Sequence, residues 1–221
     1  MFSMTYNIKP ALVMIDFQNC FVSPGGSFDK LGYDISKYQE IIPTAKYAIE
    51  RARSLGIQLF YSRAIRERSG VDMLERVHKI IPYKRRERIE KIPLCISGTR
   101  DALIIDELEP EEDDLIVDKR RDSIFQDTEF EMWLDSLRID TLVFTGIDTS
   151  ICVESSLRDG FNKGWDVILL KDATASLKEK FHNTTIEEVE ENFGLVFSTE
   201  EFFNRLTPTS DGQFQLEVHY D

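Results

Sequence analysis

Three side chains of complementary chemistry, a carboxylate at Asp16, an ammonium at Lys119 and a thiol at Cys152, each stand at or just beyond the end of an apolar run. The runs are ALVMI before Asp16, LIV before Asp118-Lys119, and TLVF before the Thr145-Gly146 turn that leads to Cys152. A cysteine just inside a helix meets unpaired backbone N–H groups and the positive end of the helix dipole. Its pKa is therefore expected to fall, and the same N–H groups suit a developing oxyanion. Asp16 could take the thiol proton and return it to a leaving nitrogen, with Lys119 holding and tuning the carboxylate, which is the chemistry of nucleophilic acyl transfer. Taken singly, each residue has a plainer reading: a buried apolar cysteine, a turn-capping aspartate, an exposed strand-end lysine. His78, His182 and His219 fall in helix or tail segments and are read as structural or exposed rather than as the base.

The elements that must position these groups alternate along the chain. ALVMI is apolar on both faces, as buried parallel strands are, and polar residues at the carboxyl ends of such strands face the ligand crevice. After the turn-rich SPGGSFDKLGYD, apolar residues at spacings of three and four predict a helix over 38–54, stopped by Gly56. A second strand over 57–61 delivers Ser62-Arg63 to the same edge, and Arg63, Arg66 and Arg68 follow in a charged loop able to grip a carboxylate. A helix over 71–81 and a solvated basic cluster over 84–88 are expected next. Further strands are expected over 115–117, 141–144, 167–170 and 195–197. Further helices are expected over 129–137, capped by Asp127 or Thr128, from Cys152 to about Phe161, over 184–192 with a cap near Asn183, and over 199–206, capped by Ser198 or Thr199. This alternation predicts an α/β fold: three layers, α/β/α, around a mainly parallel sheet of about six strands, in a single domain over 1–206. The alternating FQLEVHY of the 207–221 tail suits an edge strand or a subunit contact.

Composition narrows the function classes. With 40 acidic against 27 basic residues and a formal charge of −13, the chain is a poor fit to nucleic acid or to an anionic membrane surface, which leaves a small-molecule substrate. Cys20, Cys95 and Cys152 form no CxxC pair or framework spacing, so neither a disulfide scaffold nor a zinc site is indicated, and a reducing compartment fits best. No leader or spanning segment is apparent, and the expectation is a soluble, cytoplasmic protein without cofactor or metal.

At these residues the sequence resembles the isochorismatase-like cysteine hydrolases. The resemblance is carried by ALVMIDFQNCF with Asp16, VDKRRDSIFQDT with Lys119, Phe125 and Thr128, TGIDTSICVESSLRDG with Cys152, and the downstream DATAS block, and it spans roughly residues 10–200. It implies a three-layer α/β/α fold with Cys152 as nucleophile, Asp16 as general base and acid, and Lys119 as third member of a triad. It further implies a non-proline cis peptide joining Ile147 to Asp148, an oxyanion hole from the backbone N–H groups of Asp148 and Cys152, and a homo-oligomer, dimer or tetramer. Asp148 departs from the family, where this position is often small and apolar. Phe21, Phe125, Asn19 and Arg63 are the expected pocket lining.

Members similar to nicotinamidases carry an Asp-x-His metal pattern after the second strand. Here the corresponding segment, Tyr61 to Arg66, holds neither residue type. The wording around Cys152 looks closer to members that cleave ureido and N-carbamoyl compounds, which makes a cysteine-dependent amidohydrolase the expected activity. The alternatives are a nicotinamidase- or isochorismatase-type hydrolase and a non-catalytic member acting as a binding module.

Overall fold

The computed structural model describes residues 2–220, with Glu75 and Ile89 described by their backbone alone. In chain order, β1 (Phe2–Ile8) and β2 (Pro10–Ile15) lead into α1 (Asn19–Val22), α2 (Ser27–Lys30), α3 (Ser36–Glu40) and α4 (Ile42–Ser54). Then come β3 (Gln58–Ala64), α5 (Leu74–Val77), α6 (Tyr83–Lys91), β4 (Leu115–Lys119), α7 (Phe130–Leu137) and β5 (Thr141–Ile147). A π-helical turn, Thr149–Val153, runs into α8 (Glu154–Lys163), followed by β6 (Asp166–Ala175), α9 (Glu179–Asn192) and β7 (Leu195–Phe197). The last elements are α10 (Thr199–Asn204), β8 (Leu206–Pro208) and β9 (Phe214–Tyr220).

Six strands form one parallel sheet in the order β4-β3-β2-β5-β6-β7. Every residue of β2 is buried, because helices cover both faces. Alternate side chains of β2 serve different cores. Leu12 and Met14 pack with Ala45, Ala48, Ile49 and Ala52 of α4, while Val13 and Ile15 pack with Phe130 and Leu134 of α7 and Leu157 of α8. From β2 the sheet grows one way through β3 and β4, and from β5 the other way through β6 and β7. The crevice between the ends of β2 and β5 is thus the topological switch point, the usual ligand position in open α/β sheets.

At that point the two backbones nearly touch. Gly146 has φ +117°, and a Cβ there would lie 2.1 Å from the Ile15 carbonyl oxygen, so only glycine fits. The pairing of β5 with β6 shifts register between Phe144 and Gly146, and β5 runs on to Ile147 rather than ending at the expected Phe144. A cis peptide joins Ile147 to Asp148.

Elsewhere the structure departs from the sequence pattern in identifiable ways. The helix expected over 38–54 is two helices, α3 and α4, because Pro43 in the first turn of α4 cannot continue a helix from upstream. Only Leu74–Val77 is helical within 71–81. Of the two expected caps of α7, Asp127 is left-handed at φ +57° and does not serve, whereas the Thr128 hydroxyl donates back to the Ile124 carbonyl and accepts from the Phe130 N–H at 3.4 Å, with Glu129 at the cap position itself. The helix α9 begins at Glu179 rather than 184, without a side-chain cap, whereas Ser198 does cap α10 by accepting from the Glu201 N–H. A strand at Phe2–Ile8 was not expected. It pairs antiparallel with β9, which also pairs with β8, in a separate three-stranded sheet. In β9, Phe214, Leu216 and Val218 face the core and Gln215, Glu217 and His219 face solvent. One pair, which the spacing does not announce, does form: α1 brings Cys20 against Cys95 as a disulfide, Cα to Cα 5.9 Å, leaving Cys152 free, so the reducing compartment expected from the cysteines loses its support. Among the described residues no helix is long and apolar enough to cross a membrane.

The close approach at the switch point sets a measurable cost. Gly146→Ala should destabilise the fold by about 3 kcal/mol or more in urea unfolding, since strain and overpacking combine. Gly32→Ala, at φ +80° in open space, should cost only about 1 kcal/mol.

Candidate active site

Asp16 leaves β2 in the left-handed region, φ +54°, a conformation an aspartate tolerates better than most residues and one that recurs at functional sites. Its backbone N–H donates to Ser62 Oγ at 3.2 Å, and the Ser62 hydroxyl donates to Asp16 Oδ1 at 2.6 Å. Lys119 Nζ lies 2.8 Å from Asp16 Oδ2, and both side chains are buried. The ammonium also donates to the Arg121 carbonyl at 3.2 Å. Burial works against the charged lysine, but the acidic groups around it, the Asp16 carboxylate first, together outweigh this, and the net effect is a raised pKa. Apart from this ion pair, Asp16 Oδ2 accepts from no donor among the described residues.

Cys152 lies in the π-helical turn that follows β5, across the switch point from Asp16. Its environment overturns the expectation of a depressed pKa. Burial pushes the thiol well up, Lys119 pulls it down, and the Asp16 carboxylate pushes it further up. The sulfur thus sits between opposing influences, Lys119 favouring the thiolate and burial with the Asp16 carboxylate favouring the thiol.

The orientation of Asp148, left open by the sequence, is settled by its hydrogen bonds. Its Oδ1 accepts from the Ser150 N–H at 2.9 Å, from the Ser150 hydroxyl at 2.8 Å and from the Ser176 hydroxyl at 2.6 Å. Its Oδ2 accepts from the Tyr38 hydroxyl at 2.7 Å and from the Leu177 N–H at 3.2 Å. Burial, then the adjacent carboxylate, push the Tyr38 phenol far above its ordinary range, so it stays a donor. Asp148 thus ties the turn bearing Cys152 to α3 and to the segment after β6. The Thr149 hydroxyl, 2.9 Å from His182 Nδ1, ties the same turn to α9.

Asp16, Lys119 and Cys152 share one wall of a cavity of about 680 Å³. Of the four residues expected to line it, Phe21 does. The other three are corrected. Phe125 is buried in the second core, its ring 4.9 Å from Phe130 and 5.5 Å from Trp165. The Asn19 amide donates to the Leu103 and Ile104 carbonyls and its oxygen accepts from Ser23, all away from the cavity. Strand alternation turns Arg63 to the face opposite Ser62, where it grips Asp118 at 2.7 and 2.9 Å. Sequence reasoning missed Tyr38 and Ser176. Tyr38 reads only as part of an amphipathic helix, and Ser176 closes the matched DATAS block without being singled out there as a site residue. Arg66 does line the cavity, whereas Arg63 does not.

Comparison with known proteins bears on this arrangement. The model of the isochorismatase domain matches residues 10–201. Ureidoacrylate amidohydrolase RutB of Yersinia enterocolitica is 33% identical over 207 residues, covering 90% of each chain. The protein of the same name from Agrobacterium fabrum is 34% identical over 217 residues, 92% of this chain and 95% of its own. Among solved structures, an isochorismatase-like hydrolase from Alkaliphilus metalliredigens superposes with a TM-score of 0.72 at 27% identity, covering 89% of this chain and 98% of that one.

Two outcomes follow from the geometry. Lys119→Ala leaves the Asp16 carboxylate buried and unpaired, and should cost about 3–5 kcal/mol in chemical denaturation. Because the thiol pKa is raised, alkylation of Cys152 by iodoacetamide should be slower at pH 8 than that of a free cysteine and should still climb above pH 9. In Asp16→Asn the carboxylate's upward push is gone while Lys119 remains, so alkylation at pH 8 should quicken by about 10-fold, one pKa unit. An unchanged profile would contradict the electrostatic account.

Proposed function

This chain belongs to the isochorismatase family, and we propose that it is a cysteine-dependent amidohydrolase cleaving a C–N bond of a ureido, N-carbamoyl or carboxamide compound. The observation that carries the reading is that a thiol, a buried ammonium and a carboxylate whose Oδ2 has no partner beyond that ammonium among the described residues line one cavity. The names of the two curated relatives support the ureido or N-carbamoyl class.

In this reading the Cys152 thiol passes its proton to Asp16 Oδ2 as the sulfur attacks the carbonyl carbon. The Lys119 ammonium offsets the negative charge that the pair carries before transfer. The tetrahedral oxyanion is held by the backbone N–H groups of Asp148 and Cys152. Support for this comes from the Asp148 amide, which donates no hydrogen bond among the described residues. Loss of one such donor in comparable chemistry costs about 3 kcal/mol. Asp16 returns the proton to the departing nitrogen as the C–N bond breaks, and an S-acyl or S-carbamoyl enzyme remains. Water, deprotonated by Asp16, then attacks that carbonyl and the sulfur leaves with the proton. For a carbamoyl substrate the products are the amine and carbamate, which decomposes to ammonia and carbon dioxide.

The test is ammonia release from a panel containing an N-carbamoyl amino acid, a ureido acid, nicotinamide and an aliphatic amide, with and without a chelator. A ureido or N-carbamoyl compound should be turned over in the presence of chelator. Cys152→Ala and Asp16→Asn should each lose at least about 10³-fold in kcat. Turnover persisting in Cys152→Ala would refute the covalent mechanism.

A further inference from the structure

The cavity is larger than a short ureido acid requires. At about 680 Å³ it falls in the range of roughly 300–1,000 Å³ that holds drug-sized ligands. One side of it is aromatic. Phe21 meets Phe28 edge-on at 4.9 Å, Phe28 packs against Tyr33 at 5.1 Å, and the Arg88 guanidinium lies over both the Phe28 and Tyr33 rings at 5.5 and 5.4 Å. Leu94 and Leu177 extend this apolar surface.

Beside the candidate nucleophile stands a cation without a partner. Arg66 leaves the end of β3 into the cavity, and among the described residues it makes one hydrogen bond, Nη1 to the Ile65 carbonyl at 2.9 Å, and no ion pair. Burial pulls its pKa down. The carboxylates whose fields oppose that, Asp72, Asp122 and Asp16, are bound by other cations: Arg120 at 3.1 Å, Arg85 at 2.9 Å and Lys119 at 2.8 Å. A partly buried guanidinium in a pocket, with its neighbouring carboxylates already taken, is short of an anion. That shortage stands out in a chain of net charge −13.

We propose that the substrate is an N-carbamoyl or ureido acid bearing a large apolar or aromatic group. Its carboxylate is bound by Arg66 close to the scissile carbonyl, and its apolar group lies against Phe21, Phe28 and Leu94. The proposal rests on the amidohydrolase reading of Cys152 and deepens it. A carboxylate held by the planar guanidinium fixes the carbamoyl carbon over the sulfur, while the aromatic side selects the body of the molecule. The single set of contacts explains both the unpaired cation and the unused volume.

The test uses three matched compounds: N-carbamoylglycine, racemic N-carbamoylphenylalanine and the methyl ester of the latter. Wild-type kcat/KM should favour the aromatic acid at least about 10-fold over N-carbamoylglycine and over the ester. Arg66→Gln should raise KM for the aromatic acid by about 10- to 100-fold, the range of a charged hydrogen-bonded contact, and leave KM for the ester within about 3-fold. Arg66→Lys should recover part of the loss. A merely structural role for Arg66 would move acid and ester together, and removing an unpaired buried charge should not lower the melting temperature. Preference for N-carbamoylglycine, or equal losses on acid and ester, would overturn the proposal and leave the amidohydrolase reading intact. If the wild type turns over none of the three, the amidohydrolase reading is decided by the wider panel above, and calorimetric binding to Cys152→Ala decides the proposal. Tighter binding of the aromatic acid than of its ester and of N-carbamoylglycine supports it, and equal or weaker binding overturns it.

Discussion

The buried ion pair between Asp16 and Lys119 is the constraint around which the rest is arranged. Two opposite charges out of water cost several kcal/mol each in lost hydration, and their attraction offsets this only when geometry is tight and the remaining polar valences are met. The fold supplies both. The order β4-β3-β2 sets the lysine two strands from the aspartate, with Ser62 of the intervening β3 donating to the same carboxylate and the Arg121 carbonyl accepting from the ammonium. An apolar pair would pack as well. What it could not do is hold, beside a thiol, a carboxylate whose Oδ2 has only its ion pair with Lys119 and so keeps a lone pair for a proton.

A second network does for the other side of the crevice what the ion pair does for the first. The Asp148 carboxylate gathers five donors from three separate segments of chain, and each donor pins the turn on which Cys152 sits. A small apolar residue at this position would leave that turn tied to its neighbours mainly by the Thr149 contact with His182 and the Ser150 N–H bond to the Ser176 hydroxyl. Here the negative charge is fully engaged in hydrogen bonds and does not confront the sulfur directly. The oxygens face Tyr38, Ser176 and Leu177, and the backbone amide is left available.

The parts of this design that were legible in the sequence are those written in apolar runs. Unbroken β-branched and aliphatic segments marked the buried strands, and polar residues directly after them marked the crevice, which is how Asp16, Lys119 and Cys152 could be singled out together. Side-chain direction was not legible. Arg63 and Arg66 look alike in sequence, but strand alternation sends the first to Asp118 and the end of β3 releases the second into the cavity. Phe125 sits in a recognisable block and still belongs to the core, because aromatic type does not reveal which face a loop presents. The thiol pKa was misjudged for a related reason: a helix start is local and can be read, whereas desolvation depends on what covers it. Cys20 and Cys95 meet only through the fold, and β1 carries no apolar alternation because most of its side chains are exposed.

The small sheet carries an implication for the order of assembly. Its middle strand is β9, while one of its edges is β1, paired from Phe2 opposite Tyr220 to Ile8 opposite Phe214. During synthesis β1 emerges first and its partner last. It waits as a strand with no ladder while the whole parallel sheet is made, and β8 waits likewise for a shorter time. Pairing across so long a loop gains nothing until the intervening chain is compact. On loop-closure grounds the antiparallel sheet is expected to close late in folding, a clasp fastened once the crevice between β2 and β5 exists.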